Sequence, residues 1–256
     1  MNMATHLEFD GKVVLVTGAA TGIGWAACDL FLQRGAKVMF ADIDPMLPDT
    51  VGRLKDSHQA RAHCVQLDVG QATSVDLCVS SVLERFGKLD VLVNVAGIYP
   101  AARLIDMSDA LFDQVLNVNL KGVFYMCRAC LPHMLEQGSG AIVNVTSGAA
   151  RRPLAGLSAY AASKAGVVAL SQALALEVAP NVRVNLVSPG ATASQTVRSL
   201  LEQGGHEAAE EAVANIPMGR LASPHDIADA IVYLASDRSC HSTGSTISVN
   251  GGSLFY

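Results

Sequence analysis

Short apolar runs rich in β-branched residues recur near residues 12–17, 37–41, 62–67, 89–93, 140–146, 182–187 and 244–249, and the stretches between them place apolar residues at helical spacing. Continuous apolar runs, as opposed to alternating ones, belong to strands buried on both faces, and strands that alternate with helices pair in parallel. The pattern therefore predicts an α/β fold: one doubly wound, parallel, seven-stranded sheet with helices on both faces. In such a sheet a ligand sits beyond the carboxyl ends of the strands. Gly18, Asp42, Asn94, Ser147 and Pro189 each follow one of the apolar runs and are expected along that edge. No linker or low-complexity tract interrupts the pattern, so residues 1–256 read as a single domain.

The first run, Lys12 to Thr17, leads into Gly18-Ala19-Ala20-Thr21-Gly22-Ile23-Gly24 and then an amphipathic stretch from Trp25 to Arg34. Strand, Gly-rich turn and helix in that order suit a pyrophosphate. Glycine permits a tight turn and close backbone approach, while unpaired N–H groups at the helix start attract anions. The second run ends at Asp42, at the distance of about 20 residues where a carboxylate accepts a hydrogen bond from the adenosine ribose. A carboxylate there repels a 2′-phosphate, and neither the turn nor Ile43-Asp44-Pro45 contains a Lys or Arg to hold one. NAD is expected over NADP.

In Tyr160-Ala161-Ala162-Ser163-Lys164 a phenol and an ammonium stand four residues apart, on one face of a helix. A phenol with a pKa of about 10 is a poor base near neutrality, and a nearby cation favours the phenolate. The pair is a candidate proton-transfer device.

Together these segments resemble the short-chain dehydrogenase/reductase family over nearly the whole chain. Thr17 to Gly24 is similar to its Thr-Gly-xxx-Gly-x-Gly cofactor turn, Asp68-Val69 to the acidic pair at the adenine, and Asn94-Val95-Ala96-Gly97 to the Asn-Asn-Ala-Gly segment under the cofactor. Asn119, Ser147, Tyr160 and Lys164 match the catalytic four, and Pro189-Gly190 matches the start of the nicotinamide-side loop. The resemblance implies a Rossmann-type catalytic domain that binds NAD. Its cofactor residues would be Gly18, Thr21, Gly22, Ile23, Gly24, Asp42, Ile43, Asp68, Val69, Asn94, Ala96, Gly97, Tyr160, Lys164, Pro189, Gly190 and Thr192.

The reaction so implied is reversible hydride transfer between a nicotinamide and a carbinol carbon. Tyr160 is the expected general base in oxidation and general acid in reduction, with Lys164 lowering its pKa and holding the nicotinamide ribose. The positive charge of oxidised nicotinamide acts in the same direction. Ser147 is expected to orient the substrate oxygen, and Asn119 to anchor a water that passes protons to Lys164. Three departures from the family pattern stand out. Val95 replaces a second Asn, Asn250 replaces an Asp before Gly251-Gly252, and Thr192 and Ser194 replace Ile and Thr. A hydroxyl at Thr192 or Ser194 still suits the nicotinamide carboxamide.

Composition narrows the setting. A chain of 256 residues, 50% hydrophobic, buries a large core, and a net charge of −5 supplies no basic footprint for nucleic acid or anionic membranes. Met1 to Asp10 carries His6, Glu8 and Asp10 and no apolar core, so neither a signal peptide nor a membrane anchor is expected, and a cytoplasmic location follows. Six cysteines read as reduced thiols, with Cys127 and Cys130 in mid-helix, and seven histidines show no ligand spacing, so no metal is expected.

Substrate is less legible. Residues 191–220 stand where the family has a variable substrate loop, and Val197, Leu200, Leu201, Val213, Ile216 and Met218 offer an apolar lid. A mostly apolar secondary alcohol, cyclic or aromatic, fits best. Arg151-Arg152 stand near the expected mouth, either as surface residues or as binders of a substrate anion. An NADPH-dependent 3-oxoacyl thioester reductase of the same family is the nearest alternative. Asp42 opposes it, as does the lack of a basic cluster at residues 133–140 for an acidic carrier protein. A non-catalytic dinucleotide-binding regulatory protein is a second, opposed by the presence of all four catalytic residues. Long helical patterns around Ala110–Leu135 and Ser158–Ala179, the latter with Ala161, Ala165, Gly166 and Ala169, suit close packing, and the resemblance implies a homotetramer.

Overall fold

All seven strands form in the computed structural model, which describes residues 7–193 and 213–255. They are β1 (Val13–Thr17), β2 (Lys37–Asp42), β3 (Ala62–Gln66), β4 (Val91–Asn94), β5 (Gly140–Val145), β6 (Val182–Pro189) and β7 (Thr246–Val249). Every neighbouring pair is parallel, in the order β3-β2-β1-β4-β5-β6-β7. β4 begins later than its apolar run because the Gln137 side chain takes the Leu89 backbone, accepting from its N–H at 3.1 Å and donating to its carbonyl at 2.9 Å.

Between the strands lie α1 (Gly22–Gln33), α2 (Leu47–Gly52), α3 (Asp56–Gln59), α4 (Ala72–Phe86), α5 (Asp109–Leu116), α6 (Gly122–Glu136), α7 (Ser158–Val178) and α8 (Pro224–Ala235). The two faces of the sheet are set by the two-residue period of the strands. Val14 and Val16, Val38 and Phe40, and Val91 and Val93 pack into one core with Phe31 of α1 and Ile231 of α8. Their neighbours Leu15, Met39 and Leu92 point the other way, into a second core with Val79 of α4, Met126 of α6 and Val167 of α7. Among the described residues α7 is the one helix long and apolar enough to cross a membrane. Of its apolar residues, Val167, Ala175 and Val178 lie in that second core, while Leu176 is exposed.

Strand order reverses at β1, whose partners are β2 on one side and β4 on the other, and a crevice opens there beyond the strand ends. The expected helix over 110–135 is interrupted by a π-helical turn at Asn117–Lys121, between α5 and α6. Of the expected substrate loop, Ser194, Val197, Leu200 and Leu201 lie outside the described residues, as does His6. The chain on its two sides is joined, with Ala193 N–H donating to the Ala222 carbonyl at 2.8 Å and Ala222 N–H to that of Ala191 at 3.0 Å.

Candidate active site

The Gly-rich turn joins β1 to α1 without slack. Gly18 has φ +67°, and a Cβ there would lie 2.8 Å from Ala96 N. A Cβ on Gly24 would run into the Gly18 carbonyl. Only glycine allows the first turn of α1 to sit this close to the end of β1. Thr21 precedes the helix with extended backbone and gives it no side-chain cap, so the N–H groups of the first turn point outward without a hydroxyl partner from Thr21. A backbone cradle closed to side chains, at an uncapped helix start, fits a pyrophosphate. Beside it, Thr17 Oγ1 accepts from Val95 N at 3.1 Å and Ala96 N at 3.3 Å, which holds the segment after β4 against the turn.

At the end of β2 the Asp42 carboxylate accepts from Ala20 N at 2.9 Å and Asp44 N at 3.0 Å, bridging the Gly-rich turn to its own loop. Ile43 beside it is 60% exposed, at the rim of the crevice. Asp68 Oδ1 accepts from Gly70 N at 2.9 Å, and Val69 packs so tightly on Gly122 that a Cβ there would lie 2.9 Å from its methyl group. Asn117 of the π turn donates to the Gly70 carbonyl at 3.1 Å and pins this loop. Asn94, the last residue of β4, turns its side chain inward. Its side chain is buried on the helix side of β4, donating to Asn144 Oδ1 at 2.8 Å, while Asn144 donates to Ser171 Oγ at 2.8 Å. The cause is strand period: residue 94 shares the face of Leu92, away from Val93. This network also supplies polar support at the central strands where Val95 lacks an amide.

Ser147, Tyr160 and Lys164 meet in a cavity of about 260 Å³ that Ile23, Val95, Gly97, Tyr99 and Thr146 also line, with residues 189–192 opposite. Ser147 follows β5, and its hydroxyl accepts from Ala149 N at 3.1 Å and acts on the Tyr160 phenol as a hydrogen-bonding neighbour. Tyr160 and Lys164 stand one turn apart at the start of α7. The Lys164 ammonium is buried, donates to the Val145 carbonyl at 2.9 Å and lies 5.9 Å from the Tyr160 ring centroid. Burial pulls it down to about 8. Burial also raises the Tyr160 phenol above its ordinary value, the Ser147 hydrogen bond opposes this, and Tyr99 adds to it. Against the expectation that Lys164 lowers Tyr160, the group that lowers the phenol here is Ser147, and the dryness of the site outweighs it.

Asn119 is fully buried in the π turn. Its Oδ1 accepts from Ile98 N at 2.8 Å, and its Nδ2 donates to the Ile98 carbonyl at 2.8 Å and to Ser163 Oγ at 3.1 Å. Its side chain thus positions the loop after Gly97. Pro189 ends β6, Gly190 N–H donates to the Val249 carbonyl at 2.9 Å, and Thr192 Oγ1 donates to the Gly190 carbonyl at 3.0 Å, leaving its lone pairs for another donor. Asn250 replaces a carboxylate without loss of the turn, accepting from Gly252 N at 3.0 Å and donating to the Leu254 carbonyl at 2.7 Å. Arg151 and Arg152 are both exposed and line none of this cavity.

A family model described as enoyl-(acyl carrier protein) reductase matches residues 18–253. The crystal structure of a short-chain dehydrogenase/reductase, a glucose/ribitol dehydrogenase from Brucella melitensis, superposes with a TM-score of 0.90 at 34% identity, over 98% of this chain and 100% of its own. The chain belongs to the short-chain dehydrogenase/reductase family. Among curated members, a 3-oxoacyl-acyl-carrier-protein reductase of Thermotoga maritima is 39% identical over 247 residues, 96% of this chain and 99% of its own. A D-threitol dehydrogenase of Mycolicibacterium smegmatis is 40% identical over 255 residues, 96% of this chain and 94% of its own. Membership makes the chain an oxidoreductase that uses a nicotinamide dinucleotide. The named relatives act on acyl thioesters and on a polyol, so short-chain dehydrogenase/reductase membership alone selects no substrate.

Three side chains of this site lie outside the sequence expectation. Tyr99 meets the Tyr160 ring edge to face at 6.1 Å. Thr146 lines the cavity and donates to the Lys164 carbonyl at 3.0 Å, and Asn117 holds the loop at Asp68. Their only sequence signal is adjacency, two residues after Gly97, one before Ser147 and two before Asn119.

Proposed function

We propose that this protein is a NAD-dependent oxidoreductase that interconverts a secondary alcohol, mostly apolar and cyclic or aromatic, with its ketone. The observation that carries the reading is the convergence of Ser147, Tyr160 and Lys164 on one cavity, with the glycine cradle of α1 beside it. The backbone from Gly18 to Gly24 holds the pyrophosphate, Asp42 the adenosine ribose and Lys164 the nicotinamide ribose. When bound, the nicotinamide supplies or accepts the hydride. The Tyr160 phenolate takes the carbinol proton in oxidation and the phenol returns it in reduction. Ser147 donates to the substrate oxygen and sets its distance from Tyr160, and Lys164, which burial pulls down to about 8, stands one helical turn from Tyr160 in the same dry site. The apolar walls of the cavity support an apolar alcohol. Two carboxylates, Asp42 and Asp44, with no basic residue in the Gly-rich turn, support NAD.

This reading takes residues 1–256 as one catalytic domain that works in the cytoplasm and assembles as a homotetramer. The groove of Phe124, Leu131, Leu170 and Leu174 between α6 and α7 is the face this reading assigns to that contact. A second reading, NADPH-dependent reduction of a 3-oxoacyl thioester, is favoured by the identity to the Thermotoga maritima reductase. Formation and loss of reduced nicotinamide, followed by absorbance with NAD and NADP in parallel, decides between them. Secondary alcohols turning over with NAD support the first reading. Silence toward them, with an acetoacetyl thioester reduced at the expense of NADPH, supports the second. Tyr160→Phe is expected to retain NAD binding and to lower kcat by about a hundredfold or more, since it removes only the proton acceptor; activity within a few-fold of wild type contradicts the assignment.

A further inference from the structure

The reactive cavity does not end at Tyr160. Gly97 and Tyr99 line it, and they also line a wider groove of about 490 Å³ whose other walls are Ile98, Pro100, Leu111 and Gln114. The two spaces adjoin across the Tyr99 ring.

Tyr99 is held in place by its backbone. Both polar atoms of the buried Asn119 amide bind the neighbouring Ile98 backbone at 2.8 Å, and Pro100 bars helical geometry at Tyr99 itself. Ala102 N–H donates to the Gly156 carbonyl at 2.9 Å, which ties the segment to the approach of α7. The ring packs against Tyr160 yet is 43% exposed. An aromatic side chain fixed this way offers a ligand contact area at little cost in conformational freedom.

We propose that Tyr99 is a specificity-determining residue, and that the groove beyond it, between residues 97–100 and α5, takes an apolar extension of the alcohol substrate. The inference rests on the alcohol–ketone reading above. Among the described residues no charged side chain lines the groove, and its polar groups are the Gln114 amide and the Tyr99 hydroxyl, so the walls select neither a carboxylate nor a phosphate. A substrate whose carbinol meets Ser147 and Tyr160 while its extension crosses Tyr99 buries apolar surface in both spaces. Its kcat/KM is therefore expected to rise with the extension until the groove is filled.

The experiment is a series of secondary alcohols with one carbinol group and alkyl or aryl extensions of increasing length, oxidised with NAD and NADP both supplied. It compares wild type, Tyr99→Ala and Gln114→Trp. Gln114 is exposed on α5, so tryptophan there fills the groove from outside the core. Circular dichroism confirms that each variant is folded. In both variants the ratio of kcat/KM for the longest to the shortest member is expected to fall by about tenfold or more, the range seen when apolar pocket contacts are lost. A ratio equal in all three proteins overturns the assignment of Tyr99 and the groove and leaves the dehydrogenase reading standing. Wild-type silence toward every member overturns both.

Discussion

In the proposed reaction the proton passes through Tyr160, and the surroundings of that phenol work against the simplest expectation for it. Burial raises the Tyr160 phenol, the Ser147 hydrogen bond opposes that rise, and Tyr99 reinforces it. Oxidation needs the phenolate, so kcat/KM for an alcohol rises with pH until the phenol has titrated. A donor to the phenolate lowers its pKa, and removing that donor leaves the raising effects unopposed. Ser147→Ala is therefore expected to displace the rising limb of the kcat/KM profile toward higher pH, besides lowering activity. A pH profile over the alkaline range checks this. A limb that stays put while activity falls would mean that Ser147 acts on the substrate oxygen alone.

At the scale of elements, the site depends on junctions that are tighter than the elements themselves. β1 runs into α1 through glycines that leave no room for a Cβ, and α1 packs on α8 from the other side. α8 begins just past Ala222, the residue joined to Ala191 and Ala193, and its start is braced by a capping box. Ser223 Oγ accepts from Asp226 N at 3.1 Å, Asp226 Oδ2 accepts from Ser223 N at 2.6 Å, and Arg220 grips the same carboxylate at 2.6 and 3.1 Å. Ser223→Ala is expected to lower unfolding free energy by about 1 kcal/mol, read from the midpoint of denaturant unfolding. An unchanged midpoint would show that Arg220 and Asp226 hold the helix start unaided.

Elements also separate what was legible from what was not. The seven apolar runs foretell the seven strands because a buried parallel strand is apolar at successive positions whatever its neighbours. The π turn at Asn117–Lys121 escapes such reading. It keeps the helical spacing of apolar residues on both sides, and what it secures is tertiary: Asn117 on the Asp68 loop and Asn119 on Ile98. The start of β4 escapes too, because a side chain from the end of α6 takes the Leu89 backbone.

For the molecule as a whole, the proposed reading puts the dinucleotide where strand order reverses, with the cradle contributed by β1, the ribose carboxylate by β2 and the reactive groups by the chain after β5 and by α7. A ligand that bridges these segments binds only the folded chain and raises its unfolding free energy, by about 2.7 kcal/mol at a hundred times its dissociation constant. If Asp42 reads the adenosine ribose as proposed, it repels a 2′-phosphate, and NAD is expected to raise the thermal midpoint more than NADP at equal concentration. Equal shifts in a thermal melt would mean that another group reads the ribose.

The sequence by itself determined the parallel α/β sheet, the glycine turn, Asp42 at the end of β2 and the Tyr160–Lys164 pair. Each of these is written in residues close together along the chain, where period, backbone freedom and helical spacing act directly. Only the tertiary structure decided that Asn94 turns into the core, that Tyr99 stands against Tyr160, and that the groove beyond it adjoins the reactive cavity. Those facts depend on which strand face a residue occupies and on contacts between segments distant in the chain. Burial, which raises the Tyr160 phenol and lowers the Lys164 ammonium, is likewise a property of the packed molecule.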